Sequence, residues 1–361
     1  MQRLQSTWSV GLFGVLGVTV ITAMAQNASP LKADVRDFRD NVPLVIGHRS
    51  NAGYRPEHTI ASYELAIEHG ADFIEPDVVS TKDRVLIARH ENDISATTDV
   101  ADKFPDRRRT KVVDGVTING FFTEDFTLAE IKTLRAKERL PFRNQGFNGV
   151  YEVPTLQEVI DVAKRKSREA GRVIGIYPET KHPTYFRSIG LPLEGRLVEV
   201  LEANGYRGPN ASVFIQSFEV QNLKDLNHLT KLRLVQLIDS GTLKPFDFVV
   251  TNDPRTYADL MTPGGLAEIA TYANGIGPNK RNIVPQNADG TLGVPTNLVR
   301  DAHRARLVVH PFTFRDEPVF LAPDYQNDAL REYVQFYRLG VDGLFSDFAD
   351  RAVFARNLRM F

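Results

Sequence analysis

The chain has 361 residues, of which 42% are hydrophobic and 25% charged. That is an ordinary globular balance, with enough length for one barrel-sized domain or two smaller ones. A formal net charge of −1 offers no basic field for a nucleic-acid partner, and the absence of cysteine excludes a disulfide framework, a thiolate metal site and a lipidated cysteine.

At the N-terminus, Arg3 is followed by no charged residue until Lys32, Val10 to Ile21 is almost wholly apolar, and Ala23-Met24-Ala25 is a small-x-small site. The apolar core is short for a membrane span, so residues 1–25 are expected to be a cleavable export signal. Residues 26–42 are then a polar lead-in to one domain over residues 43–361. The expected product is an exported protein, periplasmic or secreted, with no membrane span once the signal is removed.

From Leu44 the apolar pattern becomes regular. A first strand, Leu44 to Gly47, ends in His48-Arg49. Thr59 is placed to cap a helix over Ile60–Gly70, with Gly70 as its stop. A second strand, Phe73 to Val79, carries Glu75-Pro76-Asp77, and only Ser80 to Arg84 separates it from the run Val85 to Ala88. A parallel crossover needs about a dozen residues. This pair is therefore an antiparallel hairpin that returns His90 to roughly the level of Asp77.

Residues 94–150, rich in Asp, Thr, Arg, Asn and Gly, read as a long insertion over the site, with one helical piece from Leu128 to Ala136 capped by Thr127. Arg107-Arg108-Arg109 within it reads as a solvated loop. Regular alternation resumes with helices over Thr155–Lys166, Leu193–Asn204, Glu219–Leu226, Leu266–Ala270, Thr296–Arg304 and Asp328–Arg338. The strands between them are Val173–Tyr177, Ser212–Ile215, Leu232–Ile238, Tyr272–Ile276, Leu307–Val309 and Gly343–Phe345. An irregular excursion covers residues 240–264. With the hairpin arm set aside, eight parallel strands alternate with helices, which predicts a (β/α)8 TIM barrel whose site lies at the strands' C-terminal ends.

The polar residues at those ends fit together chemically. Glu75 and Asp77 share one face of a strand, and with Glu179 they form an all-oxygen set suited to Mg²⁺ or Ca²⁺ rather than zinc. His48 and His90 suit acid and base roles in a displacement at phosphorus, and Arg49 and Lys181 suit an anionic phosphate. Glu57 is read as a brace for the His48-Arg49 turn, accepting backbone hydrogen bonds. His58 and His69 are read as structural or exposed, and His182 as a loop residue near the site.

Pro56-Glu57-His58-Thr59, Glu75-x-Asp77, Thr81-Lys82-Asp83, Glu179-x-Lys181, Gln216-Ser217-Phe218 and residues 342–347 (DGLFSD), together with the two histidines, resemble the glycerophosphodiester phosphodiesterase family. The likeness runs from about residue 43 to the end. Residues 272–278 (YANGIGP) and 309–315 (VHPFTFR) resemble its longer, periplasmic members. The resemblance implies the barrel of phospholipase-C-like phosphodiesterases and hydrolysis of a small-molecule glycerophosphodiester to sn-glycerol 3-phosphate and an alcohol. It also implies a divalent cation, Ca²⁺ ahead of Mg²⁺, on Glu75, Asp77 and Glu179. It places His48 and His90 as the acid/base pair, and Arg49, Lys181, Gln216 and His310 at the substrate. Two positions depart from the pattern: Ser50, where Gly often follows His-Arg, and Glu91, where Asp often follows the second His. A related phosphodiesterase acting on another lipid head group, and an exported non-catalytic binding protein on the same barrel, are the rival readings.

Overall fold

The structure is a computed structural model that describes residues 42–358. The export signal expected over residues 1–25, and all but the last residue of the lead-in, lie outside the described residues. Among the described residues no helix is long and apolar enough to cross a membrane.

Among the described residues there are thirteen strands: β1 (Leu44–Gly47), β2 (Phe73–Ile74), β3 (Asp77–Ser80), β4 (Leu86–Ala88), β5 (Arg109–Val113), β6 (Val116–Gly120), β7 (Gly175–Ile176), β8 (Glu179–Thr180), β9 (Phe214–Ser217), β10 (Arg233–Ile238), β11 (Gly275–Pro278), β12 (Val308–Val309) and β13 (Gly343–Ser346). β1 lies between β13 and β2, and β2 pairs with β7. In the other ladder β3, β8, β9, β10, β11 and β12 follow one another, every pair parallel. β2 with β3, and β7 with β8, are each one barrel stave interrupted at a proline, Pro76 or Pro178, because proline has no N–H to give the ladder. The circle closes between β12 and β13, where Asp342 N donates to Val309 O (3.0 Å) and Phe345 N to Pro311 O (3.0 Å). The eight staves of a (β/α)8 barrel result, the architecture that the strand–helix alternation predicts.

Side chains alternate along each stave. Leu44 and Ile46 of β1 point into the barrel with Phe73, Tyr177, Phe214, Val235 and Phe345, whereas Val45 points out and joins the larger core between staves and helices. The interior is thus packed with aromatic rings and is not a channel, so the polar site is confined to the staves' C-terminal rim.

The hairpin is present: β3 and β4 are antiparallel with Val78 opposite Ala88. That register puts Arg89 beside Asp77, with Arg89 N donating to Asp77 O (2.9 Å), and carries His90 one residue beyond it. Two of the expected elements shift markedly. The strand read over Tyr272–Ile276 is Gly275–Pro278; Tyr272 and Ala273 instead close the turn after the helix Pro263–Ile269 through hydrogen bonds to Ile269 O. The helix read over Leu128–Ala136 stops at Ile131 after a capping box between Thr127 and Glu130, and Ala136 turns away to bond Tyr151 O (2.7 Å). The insertion also holds an unexpected antiparallel hairpin, β5 with β6.

Candidate active site

β1 ends at Gly47, and the next residues turn sharply, with φ +48° at Arg49 and +82° at Ser50. The turn aims the Arg49 N–H at Glu75 Oε2 (2.7 Å) and brings His48 to the rim. There His48 Nδ1 meets Asp347 Oδ1 of the stave-β13 end at 2.5 Å. An ionised carboxylate only accepts, so Nδ1 carries the proton and Nε2 is the free nitrogen, 3.4 Å from Thr313 Oγ1. Asp347 Oδ2 accepts from Arg143 Nη2 (2.5 Å) and Arg315 Nε (3.0 Å). Burial pushes the Asp347 carboxyl up, but His48, Arg315 and Arg143 hold it well below the usual range. Burial outweighs Asp347 at the imidazole itself and lowers His48 to about 4.

His90 is built the same way from the hairpin arm. Its Nδ1 lies 2.6 Å from Glu91 Oε1, and its Nε2 lies 3.3 Å from Lys181 Nζ. Burial, then Arg49 and Lys181, lower it to about 3. The residue that departs from the family pattern, Glu91, is therefore the one that orients His90.

Glu75, Asp77 and Glu179 converge, each offering a carboxylate oxygen within 4.8 Å of the others. All three are at most 5% exposed. Burial and the neighbouring carboxylates raise Glu75 well above its ordinary value. Burial and Asp77, opposed by Lys181, raise Glu179 to about 8. Burial acts upward on Asp77 too, but His58, His90 and Lys181 keep it well below. Asp77 Oδ1 and Gln216 Oε1 are buried with no hydrogen-bond partner. Buried oxygens without partners cost free energy, and a cluster of like charges favours protons unless a cation is present. An all-oxygen set with raised carboxyls and orphaned lone pairs fits a hard divalent cation.

His48, Arg49, Glu75, His90, Glu179, Lys181 and Gln216 all line one cavity of about 500 Å³. Lys181 Nζ donates to Glu179 Oε1 (2.8 Å). Arg49 Nη1 is held by Glu57 (2.9 Å), while its Nε is buried without a hydrogen-bond partner.

The sequence profile of the glycerophosphoryl diester phosphodiesterase family matches residues 48–351, nearly the whole barrel. The chain belongs to this family. It is 43% identical over 331 residues to a glycerophosphodiester phosphodiesterase of Arabidopsis thaliana, covering 88% of this chain and 86% of that protein. To a glycerophosphodiester phosphodiesterase of Haemophilus influenzae it is 30% identical over 340 residues, covering 86% and 88%. Its fold matches that of an Oleispira antarctica phosphodiesterase solved in complex with the product sn-glycerol-3-phosphate, with a TM-score of 0.60 and 20% identity over 89% of this chain and 99% of that one.

Two expectations drawn from the family resemblance, and one drawn from the sequence itself, change in this chain. His310 does not line the cavity: it is 1% exposed and sits in the barrel interior, its Nδ1 3.0 Å from Tyr177 Oη and its ring edge-on to Phe214. β12 alternation explains this, since Val308 and His310 share the inward face. Gln216 does reach the rim, but its Nε2 is spent on Glu75 Oε1 (2.8 Å), bracing a carboxylate. Glu57 braces the turn through the Arg49 and Arg139 guanidiniums (2.9 and 3.0 Å), not through backbone N–H groups, because the Arg49 amide is already taken by Glu75.

Sequence reasoning did not assign Asp347, Arg315, Arg143 or His58 to the site. His58 is wholly buried and donates through Nε2 to Asp77 Oδ2 (2.8 Å), with Nδ1 on Tyr63 Oη (2.8 Å). Of the two outcomes the sequence left open, structural or exposed, it is the structural one, supporting a carboxylate of the site. Asp347 had a visible signal, its place at the end of the last stave. Arg143 had none, since nothing local separates it from other insertion arginines.

Proposed function

We propose that this chain hydrolyses glycerophosphodiesters to sn-glycerol 3-phosphate and an alcohol, with His48 and His90 as the proton-transfer pair and Arg49 and Lys181 at the phosphate. One observation carries the reading. Two histidines, each with Nδ1 committed to a carboxylate, line the same cavity as Glu75 and Glu179 of the three-carboxylate cluster and two cationic side chains. Family membership, relatives named for this activity and a structural neighbour holding its product support it.

Hydrolysis at phosphorus needs a proton removed from the attacking hydroxyl as the new O–P bond forms. It also needs a proton delivered to the alcohol oxygen as the old P–O bond breaks. Both imidazoles are neutral in the free site, and a phosphodiester anion between them favours the protonated form of one. That imidazolium gives its proton to the leaving oxygen, while the other Nε2 takes one from the nucleophile, either water or a hydroxyl of the substrate's own glycerol; in the second case a cyclic phosphate forms, and water then opens it to glycerol 3-phosphate. Arg49 and Lys181 face the charge that develops on the non-bridging oxygens. Glu75, Asp77 and Glu179 would hold a divalent cation, Ca²⁺ in preference to Mg²⁺. Three carboxylates and a nearby amide oxygen suit the larger, less exacting ion. Such a cation, when bound, supplies further neutralisation of phosphate charge. The apolar run Val10 to Ile21 followed by Ala23-Met24-Ala25 supports export to a periplasm or medium.

The test is a chelated and then cation-restored assay of the full chain on glycerophosphocholine, glycerophosphoethanolamine and glycerophosphoinositol, with sphingomyelin and phosphatidylinositol as contrasts. Release of glycerol 3-phosphate from none of the first three overturns the reading. So does a His48→Ala variant that retains wild-type turnover.

A further inference from the structure

The insertion of residues 94–150 reaches the rim of the barrel through one deeply buried side chain. Arg143 is 5% exposed at its side chain, and its three kinds of nitrogen go to three different loops. Nη2 donates to Asp347 Oδ2 at 2.5 Å, beyond β13. Nη1 donates to the carbonyl of Ala52 at 2.9 Å, in the loop after β1. Nε donates to Glu317 Oε1 at 2.6 Å, in the loop after β12. The backbone joins the same knot, since Gly53 N donates to Asp347 O at 2.9 Å. The opposite carboxylate oxygen of Asp347 is the one that receives His48 Nδ1.

We propose that Arg143 is a positioning residue for His48: the guanidinium fixes the rotamer of Asp347, and Asp347 fixes the tautomer and aim of the imidazole. The insertion thereby completes the proton-transfer apparatus of the barrel and is more than a cover over it. This rests on the reading of His48 as a proton-transfer group.

Arg315 already places a second guanidinium on Asp347 Oδ2, but by Nε alone and from a side chain that is 21% exposed. Charge balance at Asp347 therefore survives loss of Arg143, whereas the three-way tether does not. A planar fork spreading rigid donors over several acceptors orients them in a way that a point charge cannot. Misplacing a catalytic group by an ångström costs about 100-fold in rate even when the change is remote from the chemistry. The expected signature is a fall in kcat with substrate binding retained, because Arg143 does not line the substrate cavity.

The experiment is a double-variant cycle on the full chain saturated with divalent cation, with glycerophosphocholine as substrate. Arg143→Ala is expected to lower kcat by about 10- to 100-fold with KM within about threefold of wild type. In a His48→Ala background the same substitution is expected to have no further effect, since it acts through a group already gone. Arg107→Ala is the control. Arg107 belongs to the same insertion, but its side chain holds Glu130 and the Asp125 carbonyl and lies over the Phe126 ring, away from the cavity lining, and the kcat of this variant is expected to be unchanged. If Arg143→Ala does not recover a wild-type melting profile, Arg143→Lys, which keeps a charge but not the fork, takes its place in the cycle. Wild-type kcat in a folded Arg143 variant, or an equal fractional loss with and without His48, overturns the inference. A His48→Ala enzyme with full turnover overturns instead the reading on which the inference rests.

Discussion

At the level of single residues, the turn after β1 shows how tightly the backbone is constrained near the site. A Cβ on Gly47 would meet Ser50 O at 2.4 Å, so only glycine fits there. Three residues on, Ser50 takes φ +82°, a left-handed conformation that costs an L-residue about 1–2 kcal/mol and glycine almost nothing. The departure of Ser50 from the family's usual glycine is thus a local strain, offset in part by its hydroxyl bonding the Arg49 carbonyl. Ser50→Gly is expected to be neutral or to stabilise the fold by up to about 1 kcal/mol, the greater freedom of glycine in the unfolded chain cancelling part of the relief. Urea unfolding and kcat measured together check it. A loss above about 1 kcal/mol would show that the hydroxyl matters more than the backbone.

Among the elements, the hairpin β5–β6 is tied to the active site by a short chain of charges. Its turn residue Asp114 faces His182 Nδ1 (2.6 Å), whose Nε2 faces Glu91 Oε2 (2.9 Å), and Glu91 in turn orients His90. Burial lowers the His182 pKa, but the hydrogen bonds to Asp114 and Glu91 win and raise it from 6.5 to about 9. A pKa raised on folding favours the folded state fully below pH 6.5 and ceases to do so as pH passes through about 9. The melting temperature is therefore expected to fall between those values, and a His182→Gln variant to show a flatter profile over the same window. Parallel profiles for the two proteins would refute the linkage. The sequence carries a signal for this hairpin that went unread: Asp114-Gly115 between alternating runs is a strong two-residue turn signal, and both residues take positive φ. The polar composition of the insertion masked it. The shortened helix after Thr127 illustrates the converse: capping and apolar spacing mark where a helix starts, while tertiary hydrogen bonds such as Ala136 to Tyr151 decide where it stops.

For the whole molecule, the barrel was readable because eight apolar runs alternate with helical segments, and the short link Ser80 to Arg84 exposed the hairpin arm as a non-stave. The rim was readable where strand ends carry ionisable residues, and unreadable where the partner comes from far along the chain. Arg143 meets Asp347 across 204 positions, and His310 faces inward by the parity of its strand. The most global consequence concerns the three carboxylates, which gather from two adjacent staves, Glu75 and Asp77 from one and Glu179 from the next, and repel one another. Burial and Asp77 raise the Glu179 carboxyl, so cation binding is expected to expel protons and its affinity to rise with pH. Adding Ca²⁺ to the chelated full chain is expected to raise the melting temperature by mass action, with about 2.7 kcal/mol of stabilisation at 100 times Kd. Glu179→Gln copies the protonated state. The chelated variant should stay within about 1 kcal/mol of chelated wild type while losing most of the Ca²⁺ shift, since one carboxylate of the set is gone. Thermal melts with and without Ca²⁺ at pH 6.5 and 8.5 decide it. An undiminished shift in Glu179→Gln, or a wild-type shift that shrinks as pH rises, would exclude this cluster as the cation site.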